Sequence, residues 1–242
     1  MKTKINIILA VGIIILLTRS IDAQILIEET NITPPHFPCK EIVVQGEIAT
    51  SIHNYLIKNI AYSQEYNKTR SAGTEVIRLQ VSAQGHLTSF EVINSISREI
   101  DDMMIRILET SSGYWAPGTI NGKPASMTWE VSLVFKPSPG YDLIGTARKY
   151  QAKANAFLFE KSDPKRALRY YTRACTLLPN EDCILAAICL CWYKLGDEIE
   201  YMNDLDRLMT IHPFPLYDQE SPESTEMLTH LNTIALQFAG TR

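Results

Sequence analysis

The chain has 242 residues, of which 45% are hydrophobic and 21% are charged, and this ordinary globular composition excludes wholesale disorder. Its formal net charge of −4 argues against a nucleic-acid binder that relies on a broad basic surface. The absence of any run of about 18 or more apolar residues argues against a multi-span membrane protein. The length corresponds to one or two domains.

The first residues have the layout of a secretory signal peptide. Lys2 and Lys4 precede the almost wholly apolar stretch 5–17, and the small residue Ala23 stands before Gln24. As a helix, this stretch covers about 20 Å, which is short of the roughly 30 Å of a bilayer's hydrocarbon core. We therefore predict that residues 1–23 are a cleaved signal peptide. The alternative is an uncleaved segment that anchors the protein in the inner membrane.

The five cysteines are an odd number, so they cannot all pair within one chain. There is no CxxC spacing and no neighbouring histidine, so no zinc site is predicted. We interpret the cysteines as small buried residues. The alternative for one pair is a disulfide between Cys175 and Cys183.

Residues 37–136 change their hydrophobic period several times, which is typical of a mixed domain. Helical spacing of apolar residues predicts one helix within 48–60 and another that starts near Ser97. Alternation with a period of two predicts strands at 77–83, Leu87–Asn94 and Met127–Phe135. This order predicts an α+β unit, in which two helices cover one face of a three-stranded antiparallel sheet. Residues 24–36 are predicted to be an extended lead-in.

The last predicted strand is the candidate binding site of this unit. Three strands leave at least one sheet edge with unpaired backbone groups, and such an edge can bind an extended peptide by strand addition. The alternative is an edge that is solvated or covered by the following domain. Trp115 and Trp129 are interpreted as core residues. The predicted peptide-binding edge consists of Met127, Thr128, Trp129, Glu130, Val131, Ser132, Leu133, Val134 and Phe135.

Five short segments of residues 37–136 resemble the TonB C-terminal domain family, in the style of its Bacteroidetes members. They are Phe37-Pro38-Cys39, residues 55–62, residues 73–81, Trp115-Ala116-Pro117-Gly118 and Asn121-Gly122-Lys123-Pro124. The resemblance implies a periplasmic domain whose last strand pairs with a short peptide of an outer-membrane receptor. By similarity, Met127–Phe135 is the docking edge. The chain differs from the family pattern at Glu75, where a β-branched residue is usual.

The second half of the chain repeats at a spacing of 34 residues. After a linker at 137–141, residues 142–242 resemble tetratricopeptide repeats followed by a capping helix. No cluster of exposed basic residues is recognisable there. The repeated residues are Leu158, Ala167, Tyr171, Ala174 and Pro179, which recur as Trp192, Tyr201, Leu205, Leu208 and Pro213. The capping helix is indicated by Glu226, Met227, Leu231, Ile234, Ala235 and Phe238.

The sequence contains no recognisable catalytic constellation. Its histidines are scattered, and no HExxH, GxSxG, P-loop or GxGxxG motif occurs. We therefore predict no enzyme, no cofactor and no bound metal. The predicted function is a periplasmic protein-interaction module whose partner is an envelope protein, with the TonB-dependent receptors as the implied class. The alternatives are a membrane-anchored energy transducer for outer-membrane transport and, less favoured, an enzyme whose site forms only in three dimensions.

Overall fold

A computed structural model describes residues 30–37, 42–44, 47–49, 51–61, 71–211, 229, 231 and 233. The predicted signal peptide, Cys39 and most of the predicted capping helix lie outside the described residues. Among those that are described, no helix is long and apolar enough to cross a bilayer. The fold class is the predicted one, because a small antiparallel sheet with helices is followed by a helical array.

The described part of the sheet unit is built around one principal sheet and two minor ones. The principal sheet has the order β5-β4-β8, and both of its strand pairs are antiparallel. In the minor sheets, β6 pairs with β1 and β7, and β2 pairs with β3. In chain order the elements are β1 (Ile32–Thr33), β2 (Ile42–Val44), β3 (Glu47–Ala49), α1 (Ile52–Ala61), β4 (Gly73–Val81), β5 (Leu87–Asn94), α2 (Arg98–Glu109), β6 (Gly118–Ile120), β7 (Lys123–Ala125) and β8 (Met127–Phe135).

The described elements differ from the predicted ones at several points. Strand β4 spans Gly73–Val81 rather than 77–83. The first helix begins at Ile52 rather than near Ile48, because Glu47–Ala49 pairs with Ile42–Val44 as a short hairpin. The predicted lead-in is partly built into the unit, because Ile32 and Thr33 pair with β6 and His36 forms a bridge with Ala116. Residues 32–36 are therefore attached to the sheet unit by backbone hydrogen bonds.

The core of the sheet unit lies between α1, α2 and one face of the principal sheet. The second helix begins as predicted, because the Ser97 side chain accepts a hydrogen bond from the N–H of Ile100 and caps the helix. Each large apolar side chain that is removed from water here contributes about 1.5–3 kcal/mol. The buried members include Ile77, Leu79 and Val81 of β4, Val131, Leu133 and Phe135 of β8, Leu56 and Ile60 of α1, and Ile100, Met104 and Leu108 of α2.

The helical array contains α3 (Leu143–Asn155), a π turn (Ala156–Glu160), α4 (Pro164–Leu177), α5 (Asp182–Leu195) and α6 (Glu198–Ile211). The first residues of α4 and α6 are 34 positions apart, and each of these helices has 14 residues. The repeated residues Leu158, Ala167, Tyr171, Ala174, Tyr201, Leu205 and Leu208 share one core, most of whose other members belong to α5. Residues 34 positions apart thus bury their apolar side chains in the same core.

The four described cysteines belong to this array, and all are free thiols. Cys183, Cys189 and Cys191 are buried on α5, and Cys175 is half-buried on α4. The alternative disulfide between Cys175 and Cys183 is therefore wrong. Burial raises the pKa of Cys175 and that of Cys191 to about 12, which keeps both thiols protonated.

The two units are in direct contact at one end of β4. The Thr74 hydroxyl donates to the carbonyl of Leu177 at 2.7 Å, and the Asn94 amide donates to the carbonyl of Thr176 at 3.2 Å. A Cβ at Gly73 would lie 2.9 Å from that same Thr176 oxygen, so only glycine fits without displacement. Side chains of the sheet therefore hold the C-terminal turn of α4 by hydrogen bonds to its backbone carbonyls.

Candidate functional site at the edge strand

Strand β8 is an edge strand in the described part of the molecule. It pairs with β4 through nine residues in unbroken register, from Gly73 opposite Phe135 to Val81 opposite Met127. No other described strand pairs with it. At about 3.4 Å per residue, the strand offers an edge of about 30 Å.

The hydrogen bonds on the β5 side of β4 show which backbone groups of β8 point outward. The N–H of Ser82 donates to His86 and the carbonyl of Thr74 accepts from the Asn94 side chain, so even-numbered residues of β4 face β5. Because backbone groups alternate along an antiparallel strand, odd-numbered residues of β4 face β8. The odd-numbered residues of β8 lie opposite them in register. We infer that the N–H and C=O groups of Thr128, Glu130, Ser132 and Val134 point away from the sheet.

The side chains of β8 follow the predicted alternation in its C-terminal half and depart from it near the start. Val131, Leu133 and Phe135 are buried, and Thr128, Ser132 and Val134 are exposed. Trp115 is buried as predicted, but the prediction that Trp129 is a core residue is wrong, because 37% of it is exposed. The aromatic side chain of Trp129 therefore remains accessible on the edge strand.

A cavity of about 520 Å³ lies between α1 and the C-terminal half of β8. Its apolar lining comes from Ile57 and Ile60 of α1 and from Leu133 and Phe135 of β8. His53 and Lys136 supply its titratable side chains. The sequence pattern did not assign α1 to the site, although Ile57 lies off the apolar stripe of the helix and is 47% exposed.

Glu130 links β8 to both its neighbour strand and the helical array. Its Oε1 accepts hydrogen bonds from Arg78 at 3.1 and 3.2 Å and from Arg207 of α6 at 2.5 Å. Arg78 also pairs with Glu91 of β5, and Arg207 also donates to Asn180. These charge-assisted bonds fix the outer face of β8, and the sequence did not indicate the contribution of Arg207.

We expect Arg207 and Glu130 to be energetically coupled. Replacing Arg207 by Met removes its charge and keeps most of its stem, and replacing Glu130 by Gln removes the acceptor charge. A double-mutant cycle measured by urea unfolding is expected to give a coupling of about 1–2 kcal/mol, because the Arg207 side chain is only 11% exposed. A coupling near zero would contradict the idea that this contact holds the array to β8.

Glu75 is a buried carboxyl on the core side of β4. Its Oε2 accepts the N–H of Ile96 at 3.0 Å, and its Oε1 has no hydrogen-bond partner among the described residues. Desolvation by burial, with a smaller contribution from the nearby Asp101, raises the pKa of Glu75 to about 8. Glu75 lies opposite Leu133 of β8, the strand that forms the candidate site.

One group of possible metal ligands lies at the start of α5, away from β8. Within the described residues, Glu181, Asp182 and Cys183 place one ligand atom each within 4.8 Å of one another. The Cys183 sulfur accepts a hydrogen bond from Gln151, and burial raises the pKa of this thiol. The Cys183 sulfur is therefore engaged by a hydrogen bond within the helical array.

One known protein family matches part of the sheet unit. Residues 58–137 match the family model of the Gram-negative bacterial TonB protein C-terminal. The predicted resemblance is confirmed for this segment, which extends from α1 to just beyond β8. No family model confirms the tetratricopeptide-like repeats. No curated protein and no solved structure matches the chain significantly.

The family match indicates a TonB-like protein-interaction role in the periplasm or cell envelope. The TonB C-terminal family is a non-enzymatic interaction domain, and it typically interacts with envelope proteins.

Proposed function

We propose that the protein is an exported periplasmic adaptor that captures an extended segment of an envelope protein by strand addition to β8. The supporting observation is the outward direction of four N–H and C=O pairs, at Thr128, Glu130, Ser132 and Val134, along an edge that no described strand occupies. Main-chain hydrogen bonds of this kind supply affinity for any extended peptide. The partner class that the resemblance favours is the TonB-dependent outer-membrane receptors.

The cavity beside β8 supplies side-chain selectivity to this edge. An added strand that follows β8 places every second side chain on the core side of the sheet, where Leu133 and Phe135 also point. One apolar side chain of the partner would then enter the space between α1 and β8. The adaptor therefore favours an extended segment with an apolar residue at that position.

Proline at position 132 tests the proposal. Ser132→Pro removes one outward N–H, and edge positions of a sheet tolerate proline. The matched control Ser132→Ala keeps the N–H and removes only an exposed hydroxyl. In a cross-linking pull-down from the native envelope, we expect the alanine variant to capture the same partner as the wild type and the proline variant to lose it.

Circular dichroism should show both variants folded. Capture by a folded Ser132→Pro variant at the wild-type level would overturn strand addition on β8.

The family match also favours a second role, in which residues 5–17 stay in place as an anchor and the protein transduces energy for outer-membrane transport. The two roles differ at the N-terminus of the native protein. Mass spectrometry that finds Gln24 as the first residue would exclude anchoring through residues 5–17. Retention of residues 1–23 would favour the transducer over the adaptor.

A further inference from the structure

The first helical hairpin, formed by α3, the π turn and α4, has a net positive charge in an otherwise acidic chain. Residues 143–177 contain eight Lys and Arg but only two Asp and Glu, whereas the rest of the chain contains 15 and 25. The eight cations are Arg148, Lys149, Lys153, Lys161, Lys165, Arg166, Arg169 and Arg173, and all are exposed. No basic cluster is recognisable from the sequence, because these residues are spread over 26 positions.

Three aromatic rings form the base of one face of this hairpin. Phe157 of the π turn stacks on Tyr170 of α4, with ring centroids 5.6 Å apart and planes only 4° from parallel. Tyr150 lies two turns before Phe157 on the same side of the α3 segment. All three rings are half-buried.

Four of the cations lie over these rings. Lys153 is 5.2 Å and Arg173 is 5.6 Å from the Tyr170 centroid, and Arg173 is also 5.9 Å from Tyr150. Lys161 and Arg166 are 4.8 and 5.9 Å from the Phe157 centroid. We call these seven residues, Tyr150, Lys153, Phe157, Lys161, Arg166, Tyr170 and Arg173, the aromatic–cationic face.

Three of the four cations of this face lie over rings without an acidic partner among the described residues. Among the described residues, Arg166 pairs with Asp163, and Lys153, Lys161 and Arg173 form no ion pair. Contact with a ring costs a cation little of its capacity to bind a carboxylate, because the flat side of the ring uses none of its N–H donors. Holding long side chains in place beforehand reduces the entropy lost on binding.

The backbone beneath the face is irregular in a way that places Phe157. The π turn is closed by a hydrogen bond from the N–H of Lys161 to the carbonyl of Ala156, and Asp163 donates to the carbonyl of Phe157. Ser162 then has a φ of +51°, which is uncommon for a residue other than glycine. Single π turns within helices occur frequently at functional sites.

We propose that the aromatic–cationic face binds an acidic, extended peptide segment of a partner protein. Arginine side chains such as Arg173 pair bidentately with carboxylates, which suits Asp or Glu side chains. A bilayer surface fits less well, because membrane-bound helices insert apolar side chains. Here the rings are half-buried beneath cations, and the remainder of the chain is strongly acidic. The inference deepens the proposed adaptor function and rests on it, since it names the chemistry of a second partner surface.

A labelled acidic peptide tests this inference on the full chain. The probe is a fluorescent ten-residue peptide of alternating Glu and Ser, measured by fluorescence anisotropy at low salt. The double variant Lys153→Gln with Arg173→Gln is expected to weaken binding at least about tenfold, which corresponds to about 1.4 kcal/mol. The matched control Arg148→Gln with Lys165→Gln has the same net charge, and it is expected to stay within about twofold of wild type.

Two further measurements complete the test. Ser132→Pro should bind the acidic peptide as the wild type does, so failure of the edge-strand proposal can be distinguished from failure of this one. Equal weakening by both double variants, or no peptide binding by the wild type, would overturn the inference. Binding to phosphatidylglycerol vesicles that depends on Lys153 and Arg173, without peptide binding, would assign the face to a membrane surface instead.

Discussion

Replacing Glu75 by Gln is expected to stabilise the protein at pH 8 and to remove most of the loss of stability between pH 6 and 8. In the folded protein the pKa of Glu75 is raised from 4.5 to about 8, mainly by desolvation. Between these two values the unfolded chain has released the proton and the folded chain keeps it. Stability therefore falls as pH rises through this window, by on the order of 2–3 kcal/mol over the two units from pH 6 to 8.

A second buried carboxyl, that of Asp204, also lowers the stability as pH rises, but over a lower pH range. Burial raises the pKa of Asp204 to about 6, against the opposing effect of its hydrogen bond from Trp192. Most of its contribution therefore falls below pH 6, and the interval from pH 6 to 8 reports mainly on Glu75. Asp101 is the acidic group that acts on Glu75 from α2, and its charge strengthens the preference for the protonated form.

Urea unfolding at pH 5, 6.5 and 8 measures the effect. The control is Glu109→Gln, which removes an exposed carboxyl of α2 and is expected to leave the pH profile unchanged. If Glu75→Gln keeps the wild-type slope between pH 6 and 8, the buried carboxyl is not protonated in the folded protein.

Proline at position 131 is expected to destabilise the sheet unit severely, whereas proline at position 132 is tolerated. Val131 lies opposite Ile77 and directs its N–H toward β4, so proline there removes a hydrogen bond within the sheet and costs about 3 kcal/mol or more. Ser132 directs its N–H outward, and the expected loss there is under about 1 kcal/mol. Thermal unfolding followed by circular dichroism compares the two variants.

The opposite order of stability of these two proline variants would contradict the assigned strand orientation. If Ser132→Pro is the severely destabilised variant and Val131→Pro is tolerated, then the odd-numbered residues of β8 face outward. The residues assigned to partner hydrogen bonding would then be wrong, even if the edge itself is the binding site.

Elements with a strong local pattern could be predicted from the sequence. Strands β5 and β8 have the predicted bounds. Alternation over nine residues indicated β8, whereas β5 followed from Phe90 and Val92 after the turn at Gly85. The start of α2 followed from Ser97, whose capping hydrogen bond is local. The hairpin of β2 and β3 could not be predicted in this way, because three-residue strands are too short to show a period.

The sequence predicted the strand that forms the candidate site, but not the cavity beside it or the exposure of its side chains. Its nine residues follow from the pattern, whereas the cavity depends on Ile57, more than 70 positions away in the chain. Trp129 likewise has the parity of the buried residues of β8 but is 37% exposed, and alternation does not record which positions the rest of the fold covers. Phe157 of the stacked pair with Tyr170 lies in a π turn, which helical periodicity does not anticipate.

The direct attachment of the helical array to the sheet has a consequence for bivalent binding. Thr74, Asn94 and Glu130 connect the two units through hydrogen bonds to Leu177, Thr176 and Arg207, so β8 and the aromatic–cationic face have a fixed separation. A partner that carries both a strand-forming motif and an acidic motif would gain avidity only if its own spacer matches that separation. Spacer length in the partner, rather than hinge motion in this protein, would then decide which envelope proteins it retains.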